Sequence, residues 1–287
     1  MRVWASFVKP RRRLRISLLI IAAAYIVPLV AARLAYRRFL YPAPQGELSV
    51  PDGTTLLELR ASDGVAVHAL ELGASDRSGK ARTIVLFHGN GERMEWGADL
   101  GERLRARGLN VVLAEYRGYG RSVGTEPTEE GLYRDAEAVL DALNGQGVKA
   151  DQIVLWGTSL GTGVAAEMAR RGRAAALVLS SPYTSIRAVG SHHAPIFPMR
   201  FVLPDAFDTL SRAPLIHVPT LIIHGDKDEV MPYEMGQTLA KTIPGARLIT
   251  VSGGHHNDLM AVDGEHLIAS VVAFAKQSPG GRGDSRE

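Results

Sequence analysis

The sequence predicts an α/β fold, a mostly parallel doubly wound sheet with a short cap, preceded by one N-terminal transmembrane helix. Three features of the 287-residue chain lead there. Short continuous apolar runs alternate with amphipathic stretches of helical length, which is the signature of βαβ units. Residues 16–32 form one uncharged apolar stretch between clusters of arginine. Residues 185–212 interrupt the alternation, carrying Pro195, Pro198 and Pro204 among scattered aromatics. A chain of this length that is 46% hydrophobic can bury one large core, so one catalytic domain with appendages is expected.

Taken in order, the chain begins basic. Residues 1–40 hold nine lysines and arginines and no acid, so the formal charge of +3 belongs to this end and the remainder is net acidic. The body lacks a basic patch interleaved with aromatics, which argues against a nucleic-acid partner. From Ile16 to Ala32 the chain reads ISLLIIAAAYIVPLVAA. At 1.5 Å per residue this extends ~26 Å, and snorkelling of Arg33 brings it toward the ~30 Å hydrocarbon core of a bilayer. Pro28 is better tolerated in a membrane span than in a soluble helix. Residues 1–15 are therefore read as a basic cytoplasmic segment and 16–36 as a membrane anchor. Five cations from Lys9 to Arg15 precede the stretch and three follow it, so the positive-inside bias puts the globular body outside the cytoplasm. A cleaved signal peptide ending near Val30-Ala31-Ala32 and a buried soluble helix are the competing readings.

The body, residues 41–277, opens with an antiparallel hairpin over 47–59 and 65–72 around the turn dipeptide Asp63-Gly64. Six apolar runs, at 82–87, 110–114, 153–156, 176–179, 220–223 and 247–251, fit strands buried on both faces of a parallel sheet. Helices are expected over 96–107, 128–143, 160–171 and 233–242. Residues 185–212 are read as a small cap over the C-terminal edge of the sheet. The polar, Gly-rich tail, 278–287, is expected to be disordered, and the Arg-Gly-Asp triplet in it is read as accidental. The chain has no cysteine, which removes disulfides, thiolate metal sites and cysteine nucleophiles together.

The run IVLWGTSLGTG places Ser159 in G-x-S-x-G, between a predicted strand and a predicted helix. In that context a serine sits on a strained turn with its hydroxyl at the sheet edge, and flanking glycines relieve the crowding. The N–H of Leu160 then opens the helix and points to where an acyl oxyanion would form. A plain helix-capping serine is the bland alternative. A second oxyanion donor is expected from His88-Gly89-Asn90-Gly91, where the N–H of Asn90 would face that of Leu160. A simple glycine turn is the alternative there.

A serine hydroxyl needs an imidazole base oriented by a carboxylate. Both follow Ser159, each just past a predicted strand end, in His224-Gly225-Asp226-Lys227-Asp228 and in Gly254-His255-His256-Asn257-Asp258. Asp228 is the preferred acid, three residues beyond the strand's glycine, with Asp226 second as a turn-holding group. The residues themselves leave His255 and His256 as rival bases. His88 and His224 end buried strands and read as structural. His192 and His193 lie in the cap without carboxylate companions at ligand spacing, so no metal is expected, and no cofactor either.

Together with Phe39-Leu40-Tyr41-Pro42, Tyr116-Arg117-Gly118-Tyr119-Gly120-Arg121-Ser122 and Ser181-Pro182-Tyr183-Thr184-Ser185, these motifs resemble the membrane-anchored α/β-hydrolase family of depalmitoylases and lysophospholipid hydrolases. The resemblance runs from about Tyr41 onward. It implies an α/β-hydrolase fold, selects His256 as base because it precedes Asn-Asp, and selects Asp228 as triad acid. Glu115 stands where similar proteins often have aspartate, and His255 replaces a small residue.

The implied chemistry is two-step acyl transfer through Ser159, His256 and Asp228 on an ester or thioester of a small or lipid-like acyl group. Apolar cap residues Ile196, Phe197, Phe201, Val202 and Leu203 are expected either to receive an acyl chain or to seal the core. A serine peptidase is the nearest rival, and a catalytically silent membrane-tethered binding module the rival from another class. Oligomeric state is not legible in the sequence.

Overall fold

The computed structural model describes residues 10–44, 50–73, 81–122 and 124–278. Most of the basic N-terminal segment, the start of the first hairpin arm and the tail beyond Ser278 lie outside the described residues. Helix α1 (Pro10–Leu40) runs unbroken through Pro28. Its stretch Leu14–Leu40 is long and apolar enough to cross a membrane, and the most apolar window of it has no residue buried against protein.

Among the described residues eight strands follow: β1 (Thr54–Arg60), β2 (Ala66–Leu72), β3 (Thr83–Phe87), β4 (Asn110–Ala114), β5 (Ile153–Thr158), β6 (Ala176–Ser180), β7 (Thr220–Gly225) and β8 (Arg247–Val251). They form one sheet in the order β1-β2-β4-β3-β5-β6-β7-β8. β1 and β2 pair antiparallel, as do β2 and β4; all other neighbours are parallel. The parallel register pairs Phe87 with both Ala114 and Gly157, Thr158 with Ser180, and Gly225 with Val251. The strands therefore end level, and the loops beginning at His88, Glu115, Ser159, Ser181, Asp226 and Ser252 leave from one rim.

The central strands are apolar in runs because both faces are covered. On one face lie α3 (Glu129–Gly145), α4 (Leu160–Arg170) and α8 (Tyr233–Thr242), sharing a core of Val85, Leu155, Leu179, Leu132, Val164 and Leu239 with the end of α1. The other face carries α2 (Ala98–Arg105) and α9 (Leu259–Gln277), packed through Leu104, Leu267, Val271 and Phe274. Each such fully buried aliphatic side chain contributes roughly 1.5–3 kcal/mol.

Most elements fall where the sequence puts them; three do not. β1 begins at Thr54 because Asp52-Gly53 turns the chain, with Gly53 at φ +78° and the Thr54 hydroxyl donating to Pro51 O. The helix expected over 96–107 starts as a tight 3-10 turn, Met94–Gly97, before α2. α9 was not anticipated; its IASVVAFA run is apolar on most sides, and a kink at Asp263 breaks its period. The segment 185–212 folds as short helices α5 (Ile186–His193), α6 (Met199–Val202) and α7 (Thr209–Arg212), with Ser185 and Asp208 capping α5 and α7.

Candidate active site

Ser159 occupies the turn from β5 into α4 at φ +49°, ψ −116°, a conformation that L residues rarely adopt. Hydrogen bonds hold it there: its N–H donates to Ser180 O at 2.9 Å, and its carbonyl accepts from Thr162 N at 2.9 Å and Thr162 Oγ1 at 2.6 Å. Glycine is obligatory on both sides for steric reasons. A Cβ on Gly157 would lie 2.3 Å from Gly161 O, and one on Gly161 would lie 2.2 Å from Phe87 O. The Ser159 side chain makes no capping bond to α4.

Its hydroxyl instead meets an imidazole. His256 Nε2 lies 3.0 Å from Ser159 Oγ, and His256 Nδ1 lies 2.8 Å from Asp228 Oδ2. With Nδ1–H donating to the carboxylate, Nε2 is left to accept the hydroxyl proton. Asp228 is buried, and its Oδ1 accepts from Val230 N at 2.9 Å and Met231 N at 2.8 Å. His224 Nε2 stands 3.2 Å from Asp228 Oδ2 and 2.9 Å from Met231 O. Burial works to raise the Asp228 carboxyl, but the hydrogen bonds from His224, His256 and Met231 outweigh it and hold the group well below the usual carboxylate range.

The rival residues sit elsewhere. Asp226 Oδ1 accepts from Gly253 N at 2.7 Å and so ties the loop after β7 to the loop after β8. His255 points into solvent, where Glu229 at 2.9 Å raises its pKa.

On the other side of Ser159, Leu160 is the first residue of α4, where the opening N–H groups have no partner inside the helix. The loop after β3 packs against the serine: a Cβ on Gly89 would lie 3.4 Å from Ser159 Cβ. Gly89 N donates to Glu92 Oε2 at 2.7 Å, and Asn90 is held through its side chain by Tyr119 OH at 3.3 Å and Phe39 O at 3.5 Å. Beneath this loop His88 Nε2 meets Glu115 Oε1 at 2.6 Å, in a cage made by Tyr116 and Tyr119. Glu115 also accepts from Tyr116 N and Met94 N, so the residue that departs from the family pattern braces two backbone segments at once.

A cavity of about 560 Å³ opens beside Ser159 and His256, walled largely by Leu86, Trp96, Leu100, Trp156, Met231, Leu259 and Met260. None of the cap residues Ile196, Phe197, Phe201, Val202 and Leu203 lines it. This corrects the acyl-chain expectation for the cap: Val202 and Leu203 pack into the core, and Phe197 stacks on Tyr25 of α1. The cavity walls come from the ends of β3 and β5, the loop after β7, α2, α9 and the turn before α2. In the sequence these side chains look like ordinary core residues of strands and helices, so no signal separated them.

Comparison with known proteins agrees with this architecture. A family model described as Serine aminopeptidase, S33, matches residues 79–204. Alpha/beta hydrolase domain-containing protein aho-3 of Caenorhabditis elegans is 34% identical over 191 residues, covering 62% of this chain and 53% of the relative. An uncharacterized protein of Mycobacterium tuberculosis is 32% identical over 249 residues, covering 84% of this chain and 88% of that one. The chain belongs to the α/β-hydrolase family. Among solved structures, this α/β hydrolase is similar in fold to the Pyrococcus furiosus esterase Pf2001, with a TM-score of 0.67 at 22% identity over 84% of this chain and 100% of that one. An esterase from Exiguobacterium antarcticum aligns with a TM-score of 0.59 at 19% identity, over 77% of this chain and 99% of its own.

Proposed function

We propose that this α/β hydrolase is a membrane-anchored serine hydrolase that cleaves carboxylic esters or thioesters of lipid-like acyl groups. The observation that carries the reading is the contact of Ser159 Oγ with His256 Nε2 at 3.0 Å, backed by Asp228, on the wall of a mainly apolar cavity. His256 takes the Ser159 proton as the oxygen attacks the acyl carbonyl, and the negative charge forms on the carbonyl oxygen. The N–H groups of Asn90 and Leu160 stabilise that oxyanion, a role worth roughly 3–4 kcal/mol per donor in comparable sites. Collapse expels the alcohol or thiol, which takes the proton from His256. Water, deprotonated by the same imidazole, then frees the acid and restores Ser159. No metal or other cofactor takes part in these steps. Helix α1 serves as the anchor, with the N-terminus cytoplasmic and the hydrolase body outside.

Two experiments test this. A fluorophosphonate probe labels the wild type and not Ser159→Ala; equal labelling of both sinks the nucleophile assignment, and labelling of neither supports a silent binding module. After carbonate washing the full-length chain stays with the membrane, whereas a shortened soluble product marks a signal peptide. The description of the matching family model favours a second reading, a serine peptidase. A panel of nitrophenyl esters against aminoacyl substrates separates the two, and the apolar cavity favours the esters.

A further inference from the structure

α1 does more than lead away from the body. The hydroxyl of Tyr25, near the middle of its uncharged stretch, donates to Ile196 O at 2.8 Å, and the Tyr25 ring stacks on Phe197 at 6.3 Å between centroids. The first charges after that stretch are Arg33, Arg37 and Arg38, which mark the headgroup plane if α1 spans a bilayer. Tyr25 lies ~12 Å deeper than Arg33 along the helix. Whatever medium surrounds the middle of α1 therefore surrounds the tip of the cap that touches it.

We propose that the cap tip, residues 195–201, is seated in the lipid leaflet through which α1 leaves the membrane, and that the Ser159 cavity opens at headgroup level. This rests on the anchor and ester-hydrolase readings above. The tip has the composition such a position demands. Ile196 is 72% exposed and Phe201 55% exposed to solvent, a poor arrangement in water and a favourable one in hydrocarbon. Non-helical backbone at membrane depth must have its polar groups satisfied. Here Pro195 and Pro198 have no N–H to satisfy, Phe197 N donates to Ala194 O, and Ile196 O receives the Tyr25 hydroxyl, which itself needs an acceptor in lipid. The one cation of the tip, Arg200, lies over the Phe201 ring at 4.6 Å and has a stem long enough to carry its head toward the phosphates.

The cavity sits at the matching height. Asn90, on its rim, contacts Phe39 O, one residue beyond Arg38. The root of the cap reaches the same rim through His193 Nε2, 2.9 Å from Val230 O. An ester at headgroup depth thus meets Ser159 without its acyl chains leaving the bilayer.

The cysteine-free sequence makes a direct test simple. The full-length chain is placed in phosphatidylcholine vesicles with single nitroxide labels at Ile196→Cys, Phe201→Cys, Ile21→Cys on α1 and Glu102→Cys on α2. Accessibility to oxygen against a polar nickel chelate is then read by spin resonance. Ile196 and Phe201 are expected to behave like Ile21, and Glu102 like a water-facing site. If Ile196 and Phe201 match Glu102 while Ile21 remains in lipid, the proposal is overturned and the anchor stands. If Ile21 is also aqueous, both fall. An Ile196→Ser, Phe201→Ser double variant is expected to lose about tenfold in hydrolysis of a long-chain ester embedded in vesicles and to keep its rate on a water-soluble short-chain nitrophenyl ester. Equal rates on the vesicle ester overturn the proposal. Absence of all ester hydrolysis in the wild type counts against the esterase reading and leaves the label result to decide the insertion.

Discussion

The loop after β3 begins with the dipeptide His88-Gly89 and β7 ends with the same dipeptide, His224-Gly225, and each sets a histidine beside a carboxylate on one side of Ser159. Their electrostatics differ. Both nitrogens of His88 face acceptors, Glu115 Oε1 at 2.6 Å and Gly89 O at 2.8 Å. Burial works to lower its pKa, yet the Glu115 carboxylate outweighs burial and raises it. His224 faces acceptors with Nε2 alone, and its Nδ1 has no hydrogen-bond partner among the described residues. The first histidine braces the loop after β3 through Glu115; the second stands within reach of the Asp228 carboxylate and helps hold its pKa down. A shared motif places the ring, and the elements packed around it set its partners.

Five predictions break or sharpen that contrast. The largest effect is expected from Asp228→Asn, which removes the charge that orients His256 and should lower kcat on a soluble ester about 10⁴-fold. A variant retaining a tenth of wild-type kcat would remove the loop after β7 from the chemistry. Next comes Glu115→Gln, which removes the carboxylate from its buried pairing with His88 and should cost roughly 3–5 kcal/mol in urea unfolding.

The two loops should also respond to pH with opposite sign. The depressed Asp228 carboxyl stabilises the fold above the ordinary aspartate pKa, ~3.9, and loses that contribution as pH falls toward its folded value. His88, with its pKa raised, stabilises fully below ~6.5 and loses its contribution as pH rises through the folded value. The stability gap between wild type and Asp228→Asn should therefore narrow in acid, and the gap to Glu115→Gln should narrow in alkali. Gaps that move together would show that the two histidines are alike after all.

The smallest effects concern supporting residues. A Cβ on Gly236 would lie 2.3 Å from His224 Nδ1, so Gly236→Ala should displace that ring and cost about 1–3 kcal/mol, while Gly73→Ala, with nothing within 4 Å, serves as the control. His255→Ala touches only solvent and Glu229, and should change stability by no more than about 0.5 kcal/mol and leave kcat nearly unaltered.

The central strands were legible because parallel strands covered on both faces must be apolar in unbroken runs, and 110–114 coincides with β4; 247–251 coincides with β8, an edge strand that is only partly covered. α8 was equally plain, since one face of it meets the core and the other meets water. α9 was not: its outward positions include Ala261, Val262, Ala269 and Ala273, so the polar side that would mark the period is blurred, and the kink at Asp263 interrupts it. The cavity wall escaped for a related reason, because Trp96, Leu100 and Met260 obey the same periodic rule as any core-facing residue.

By itself the sequence determined what depends on local sterics and chain order. Gly157 and Gly161 had to flank a strained Ser159, and an acid and a histidine had to follow it past strand ends. Local pattern does not carry the choice between neighbours such as His255 and His256, whose chemistry is identical. Only the folded rim tells them apart, by turning one imidazole between Ser159 and a buried Asp228 and the other into water. The same holds for α1 and the cap: the sequence marks two apolar segments, and their contact exists only because the tertiary fold sets Tyr25 against Ile196.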